Sequence, residues 1–347
     1  MPASRLESLP TDFEVRLYRD EDEQHVIALL QAAFGRWPGD LAAADPTEYF
    51  RWKHHGNPRG PSLLVVAECD AGVVGLNAWL PYALAVGDRS LHALRGADIA
   101  VLPAFRGRGV AARIIEFGTR HIPAGTAFTF SNPNAMSRSG ALRLGRRQAG
   151  RIPPYVRLRR PLRAALAARA AADTGRARPT PPVSAETAAS ALADRDALSS
   201  LLDRVDRPPD RIAVVKDPAY LHWRYGVIGG YHAVREVRDG RLRGLAIFRI
   251  TARRGARNAR VCELLVERSD RRLARRLLHG VMASAAVDIA SCHFQDGSVE
   301  LQAARRSGFV RTPGGETLLA YPLVAGLVPD PTDLSSWALT RGDLELL

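Results

Sequence analysis

The stretch ADIAVLPAFRGRGVAARIIEFG, residues 97 to 118, decides how the rest of the chain is read. Ile99 to Leu102 has the apolar run of a buried strand, Pro103 ends it, and Val110, Ala111, Ile114 and Ile115 open a helix with one apolar face. Between strand and helix stand Arg106, Gly107, Arg108, Gly109, Val110 and Ala111. A strand, a glycine turn and a helix start gather backbone N–H groups at the positive end of a helix dipole, a nest suited to phosphate oxygens. Glycine lets such a ligand approach the backbone, and arginine adds charge.

Working outward, the chain repeats itself. Val26, Leu29, Leu30 and Ala33 have the spacing of an amphipathic helix, and Leu198, Leu201, Leu202 and Val205 repeat it 172 positions later. The same offset carries Asp45-Pro46 onto Asp217-Pro218. Aromatic clusters follow, Tyr49, Phe50 and Trp52 in one half and Tyr220, Trp223 and Tyr225 in the other. Next come LLVVAECDAGVVGLNAWL and YHAVREVRDGRLRGLAIFRI, two hairpins turning at Ala71-Gly72 and Asp239-Gly240. Farther on, helical segments end at Gly145 and Gly308. At 347 residues the chain exceeds what one core serves, so two α+β units are expected. Their bounds are 1–160 and 197–347, joined by an Ala/Arg/Pro-rich linker, 161–196, with a short basic helix from Leu162 to Ala172.

Cys69, Cys262 and Cys292 form no CxxC pair and leave one over in any disulfide scheme, which points to a reducing, cytoplasmic setting. No run of about 18 apolar residues suggests a membrane span. The formal net charge of +13 would suit a polyanionic partner, but the basic residues are nearly all scattered arginines, Lys53 and Lys216 being the only lysines. His54-His55 is the nearest approach to a metal pair, without cysteines or carboxylates at ligand spacing, so no metal is expected.

The loop resembles the acetyl-CoA signature of the GNAT (GCN5-related N-acetyltransferase) superfamily: Gln or Arg, two residues, Gly, one residue, then Gly or Ala. Arg106, Gly109 and Ala111 meet it here. The resemblance runs along the first half, where residues 13 to 35 look like the family's opening strand and helix and Ala127 to Ser131 like a fifth strand splaying from the fourth. It implies two tandem GNAT-like domains, each a mixed, mostly antiparallel sheet flanked by helices. It implies acetyl-CoA, or another acyl-CoA, as co-substrate, bound by Arg106 to Ala111. It further implies an acyl carbonyl polarised by a backbone N–H near Val101, and a cofactor contact at Asn134, whose alternative role is a helix cap after Pro133.

The pattern also departs from the family. Where relatives place an acid tyrosine stands Ala141, and where some carry a glutamate base stands Thr129. The remaining catalytic candidates are Asp98 at the start of the fourth strand, His92 as the side-chain type suited to base work, and Tyr82 as a lining residue of the acceptor cleft. The second half has no glycine between Val261 and Leu278, so it reads as a degenerate copy that packs on the first and shapes the acceptor site. The expected activity is N-acylation of a small-molecule amine by direct transfer. The alternatives are a transferase that takes its aminoacyl group from tRNA, with Arg157 to Arg176 and Ala252 to Arg276 as the RNA track, and a CoA-binding module without turnover.

Overall fold

A computed structural model describes residues 12–35, 37–39, 45–70, 72–163, 183–253 and 256–344. Most of the basic helix expected from Leu162 lies outside these residues, as do Ala71 and parts of both arginine stretches. Among the described residues the strands form two mixed, mostly antiparallel sheets of nine and seven strands, with helices packed against them. The architecture is α+β, as the repeat suggests.

In the first half the order is β1 (Glu14–Leu17), α1 (Glu23–Phe34), α2 (Pro46–His54), β2 (Leu63–Cys69), β3 (Gly72–Val86) and β4 (Arg89–Val101). Then come α3 (Val110–Arg120), β5 (Thr126–Ser131), α4 (Ala135–Arg143), β6 (Arg147–Ile152) and β7 (Tyr155–Leu158). The second half runs β8 (Glu186–Thr187), α5 (Arg195–Leu202), β9 (Ile212–Val214), α6 (Pro218–Leu221), β10 (Tyr231–Arg238), β11 (Arg241–Arg253) and β12 (Ala256–Val266). It closes with α7 (Arg271–Ala283), β13 (Ile289–Cys292), α8 (Val299–Arg306), β14 (Val310–Arg311), β15 (Glu316–Pro322), β16 (Trp337–Ala338) and α9 (Arg341–Leu344).

Local chemistry explains the matching starts. Asp45 caps α2 by accepting N–H bonds from Thr47 and Glu48, Asp217 caps α6 through Tyr220 N–H, and in each a proline follows where its missing N–H costs nothing. Asp239 and Gly240 both take positive φ, the tight hairpin turn that Asp-Gly favours.

The halves exchange a strand. β15 lies between β5 and β6 of the first sheet, and β7 lies between β13 and β14 of the second. The connectors carry the reason. Pro153-Pro154 has no N–H to extend the ladder of β6, so the chain leaves that sheet before β7. Gly314 and Gly315 take positive φ before β15, and a Cβ on Gly315 would collide with Ile152 O. One core runs across both halves, joining Tyr49, Phe50 and Trp52 to Tyr220, Trp223 and Tyr225.

Candidate functional site

β4 is the strand on which the site is built. It pairs antiparallel with β3 along its length, but its parallel ladder with β5 ends at Arg95 opposite Phe130, while β4 runs on to Val101. From Gly96 onward that edge of β4 is open. Leu102 N–H bonds Val74 O across to β3, so by alternation along the strand the N–H of Val101 turns toward the gap. A cavity of about 740 Å³ opens at the fork, lined by Arg95, Asp98 and Ile99 of β4, Phe130 and Ser131 of β5, and Glu316 of the exchanged β15.

Asp98 marks a β-bulge. Leu76 pairs with Ala100 and Ala78 with Ala97, so Asp98 and Ile99 together oppose Asn77. Asp98 takes φ +46, a left-handed value that aspartate tolerates better than most residues. The bulge aims its carboxylate at α2, where Lys53 Nζ lies at 2.7 Å and His54 Nε2 at 3.1 Å. Burial would raise the Asp98 pKa, but Lys53 and His54 outweigh it and hold the carboxyl well below the usual carboxylate range. A carboxylate held so firmly charged is a weak proton acceptor. The expectation that Asp98 starts its strand is corrected: β4 begins at Arg89, and Asp98 stands near its far end.

The loop after β4 is preorganised. Gly107 and Gly109 take φ near +80, and a Cβ on either would meet open space within 4 Å. Gly109 is the N-cap of α3 without a side-chain acceptor, and the amides of Gly109, Val110, Ala111 and Ala112 have no hydrogen-bond partner among the described residues. Val110 and Ile114 anchor the helix against Val65, Val74 and Leu94. Gly75 and Gly118 permit that approach, since a Cβ on Gly75 would lie 2.8 Å from Ile114 and Val110 side-chain atoms and one on Gly118 would collide with Trp79. Arg106 folds back, its Nε donating to Val101 O at 3.2 Å, and the Arg108 guanidinium lies 5.5 Å over the Phe105 ring.

The second half closes the same position. The carboxylate of Asp270 caps α7 by accepting N–H bonds from Arg272 and Leu273, and Arg268 N–H bonds Arg204 O. Arg268 and Ser269 take positive φ where the first half has glycines. A negative side chain therefore occupies the helix start where a phosphate would sit.

The remaining sequence candidates divide. Tyr82 is buried, does not line the cavity, and accepts from Arg95 Nη1 at 3.3 Å. His92 is exposed on β4 and does not line the cavity. Asn134 lines it, and its Oδ1 is taken by the N–H groups of Met136 and Ser137, a helix cap. Thr129 and Ala141 also line it. Lys53, His54, Arg95 and Asn132 were not read from the sequence as site residues. Lys53 carried a signal, as one of two lysines in an arginine-rich chain, but its partner lies 45 positions away.

The family model described as an acetyltransferase (GNAT) domain matches residues 14–137. No curated protein matches the chain in sequence. Solved structures resemble it in fold. A GCN5-related N-acetyltransferase from Anabaena variabilis has a TM-score of 0.61 at 13% identity, covering 89% of this chain and 72% of its own. One from Kribbella flavida has a TM-score of 0.58 at 14% identity, covering 90% and 71%. Eis1 from Mycobacterium abscessus has a TM-score of 0.52 at 16% identity, covering 89% and 73%.

Proposed function

We propose, from the match of residues 14–137 to the GNAT acetyltransferase domain model, that the chain transfers the acyl group of an acyl-CoA, acetyl-CoA in the first instance, to a small amine by direct attack in a ternary complex. The observation that carries the reading is the loop from Arg106 to Ala111, where the amides of Gly109, Val110 and Ala111 have no hydrogen-bond partner among the described residues and two glycines of positive φ stand at the start of α3. Those amides suit the pyrophosphate, and the open edge of β4 suits the pantetheine arm, with Val101 N–H directed at the acyl carbonyl.

No tyrosine or glutamate stands at the family's acid and base positions, and Asp98 is held charged by Lys53 and His54. Rate then comes chiefly from holding amine and thioester together, worth up to about 7–11 kcal/mol in well-oriented pairs. The free cysteines agree with a cytoplasmic setting. Among the described residues no helix is long and apolar enough to cross a membrane.

Gly109→Glu tests the reading. The new carboxylate replaces a φ of +80 glycine at the phosphate position, so acetyl-CoA binding by calorimetry should be lost while the circular dichroism spectrum is kept. Unchanged affinity in a folded variant refutes it.

A further inference from the structure

The second half keeps a cavity of its own. β13 pairs with β12 only as far as Cys292 opposite Val261, and α9 occupies the gap that follows, with Gly342 against Cys262 O and Glu263. Past Glu263 a cavity of about 400 Å³ opens, lined by Leu264 and Leu265 of β12, Phe294 after β13, Val214 of β9, Leu339, and Glu300 in the first turn of α8. That volume is in the range of small-molecule sites, and the five apolar residues are all buried. The loop from Arg106 to Ala111 takes no part in it.

The charges that line it differ in how they are matched. Lys216 is held by Glu263 and Asp343, Asp206 accepts from Ser269 Oγ at 2.6 Å, and Arg211 Nη1 donates to Asp296 O at 3.1 Å. Asp296 lies 3.3 Å from Arg305, and Asp210 and Arg207 are exposed to water. Glu300 is partly buried and forms no ion pair among the described residues. Burial, and more weakly Asp206, raise its carboxyl above the ordinary 4.5, against its own N–H, the Ser298 hydroxyl and Lys216, which favour the charged form. A neutral or anionic guest would seal that carboxylate from water without a counter-charge, which is costly. An ammonium group supplies one.

We propose that this cavity is a second ligand site, separate from the cleft at the fork of β4 and β5, and that it takes a small organic amine whose ammonium pairs with Glu300 and whose apolar body lies against Leu264, Leu265 and Phe294. Glu300 is the residue that selects the charge, because the Lys216 ammonium in the same cavity is already matched by two carboxylates. The inference goes beyond acyl transfer and does not depend on it.

The test titrates the full chain, without acyl-CoA, with phenethylamine, phenethyl alcohol and phenylacetate by calorimetry. The amine should bind roughly 10-fold or more tightly than the alcohol or the acid, as expected for a charge-assisted hydrogen bond. Glu300→Gln should erase that preference and leave the affinity for acetyl-CoA unchanged, while Glu300→Asp should keep part of it. Hydrogen-exchange protection by the amine should fall on residues 262–267 and 293–301, which locates the site in the wild-type protein even if Glu300→Gln does not fold. Absence of amine binding, equal affinity for the three compounds, an unchanged preference in folded Glu300→Gln, or protection on residues 95–101 and 126–134 instead overturns the proposal. Each of those outcomes leaves the transferase reading standing, and a failure of acetyl-CoA to bind leaves this proposal standing.

Discussion

His54 is fully buried between Ser62 Oγ at 3.1 Å and Asp98 Oδ2 at 3.1 Å. Burial lowers its pKa below the ordinary 6.5, with Lys53 and His55 adding to that and Asp98 opposing. The unfolded chain therefore takes up a proton near pH 6.5 that the folded chain refuses, so stability is lost as pH falls through that value. Asp98, held below 3.8, contributes its loss only in a lower window. The thermal midpoint should drop between pH 7 and pH 5, and His54→Gln should flatten that slope. Parallel slopes for both proteins would remove His54 from the account.

At the scale of elements, the second half's wedge is filled by its own chain. α9 packs on β12, where a Cβ on Gly342 would collide with Tyr225 Oη and Glu263 Oε1. Lys216 is in contact with Glu263 and lies 3.4 Å from Asp343. Burial alone would discharge the ammonium, but Asp343 and Glu263 outweigh it and keep it charged. The same segment then delivers the carbonyls of Asp343 and Leu344 to Arg95 in the first cleft. The second half thus contributes one wall of the cavity at the fork of β4 and β5. Lys216→Met strands two buried carboxylates and should cost about 3–5 kcal/mol in urea unfolding. A loss below 1 kcal/mol would show that the ion pair is incidental.

Across the whole molecule, Trp52 and Trp223 relate the halves. Each indole N–H donates to the other's carbonyl, at 2.7 and 2.9 Å, and the rings stack with centroids 5.3 Å apart. The 171-residue offset between them also maps Tyr49 onto Tyr220, buried Lys53 onto buried Arg224, and His54 onto Tyr225. The last two contact matching acids on matching strands: His54 meets Asp98 of β4, and the Tyr225 hydroxyl donates to Glu263 of β12 at 2.6 Å. With a strand exchanged in each direction, neither half keeps its own sheet when the other unfolds. Trp223→Ala should cost about 3–5 kcal/mol and still show one transition by both fluorescence and circular dichroism. Two resolved transitions would mean that the halves unfold separately.

Much of this was legible beforehand because it is local. Helical spacing, Asp-Pro caps, the Asp-Gly turn and the glycines of the loop act within a few residues, and they suffice for the α+β class, the repeat and the glycine turn before α3. What only the tertiary structure decided is the non-local part. The exchange of β7 and β15, the bulge that swings Asp98 onto α2, and the convergence of Arg95, Asn132 and the backbone near Leu344 join residues up to 249 positions apart. Spacing along a chain records which faces seek burial, whereas the choice of partner is made by the packing of the whole core.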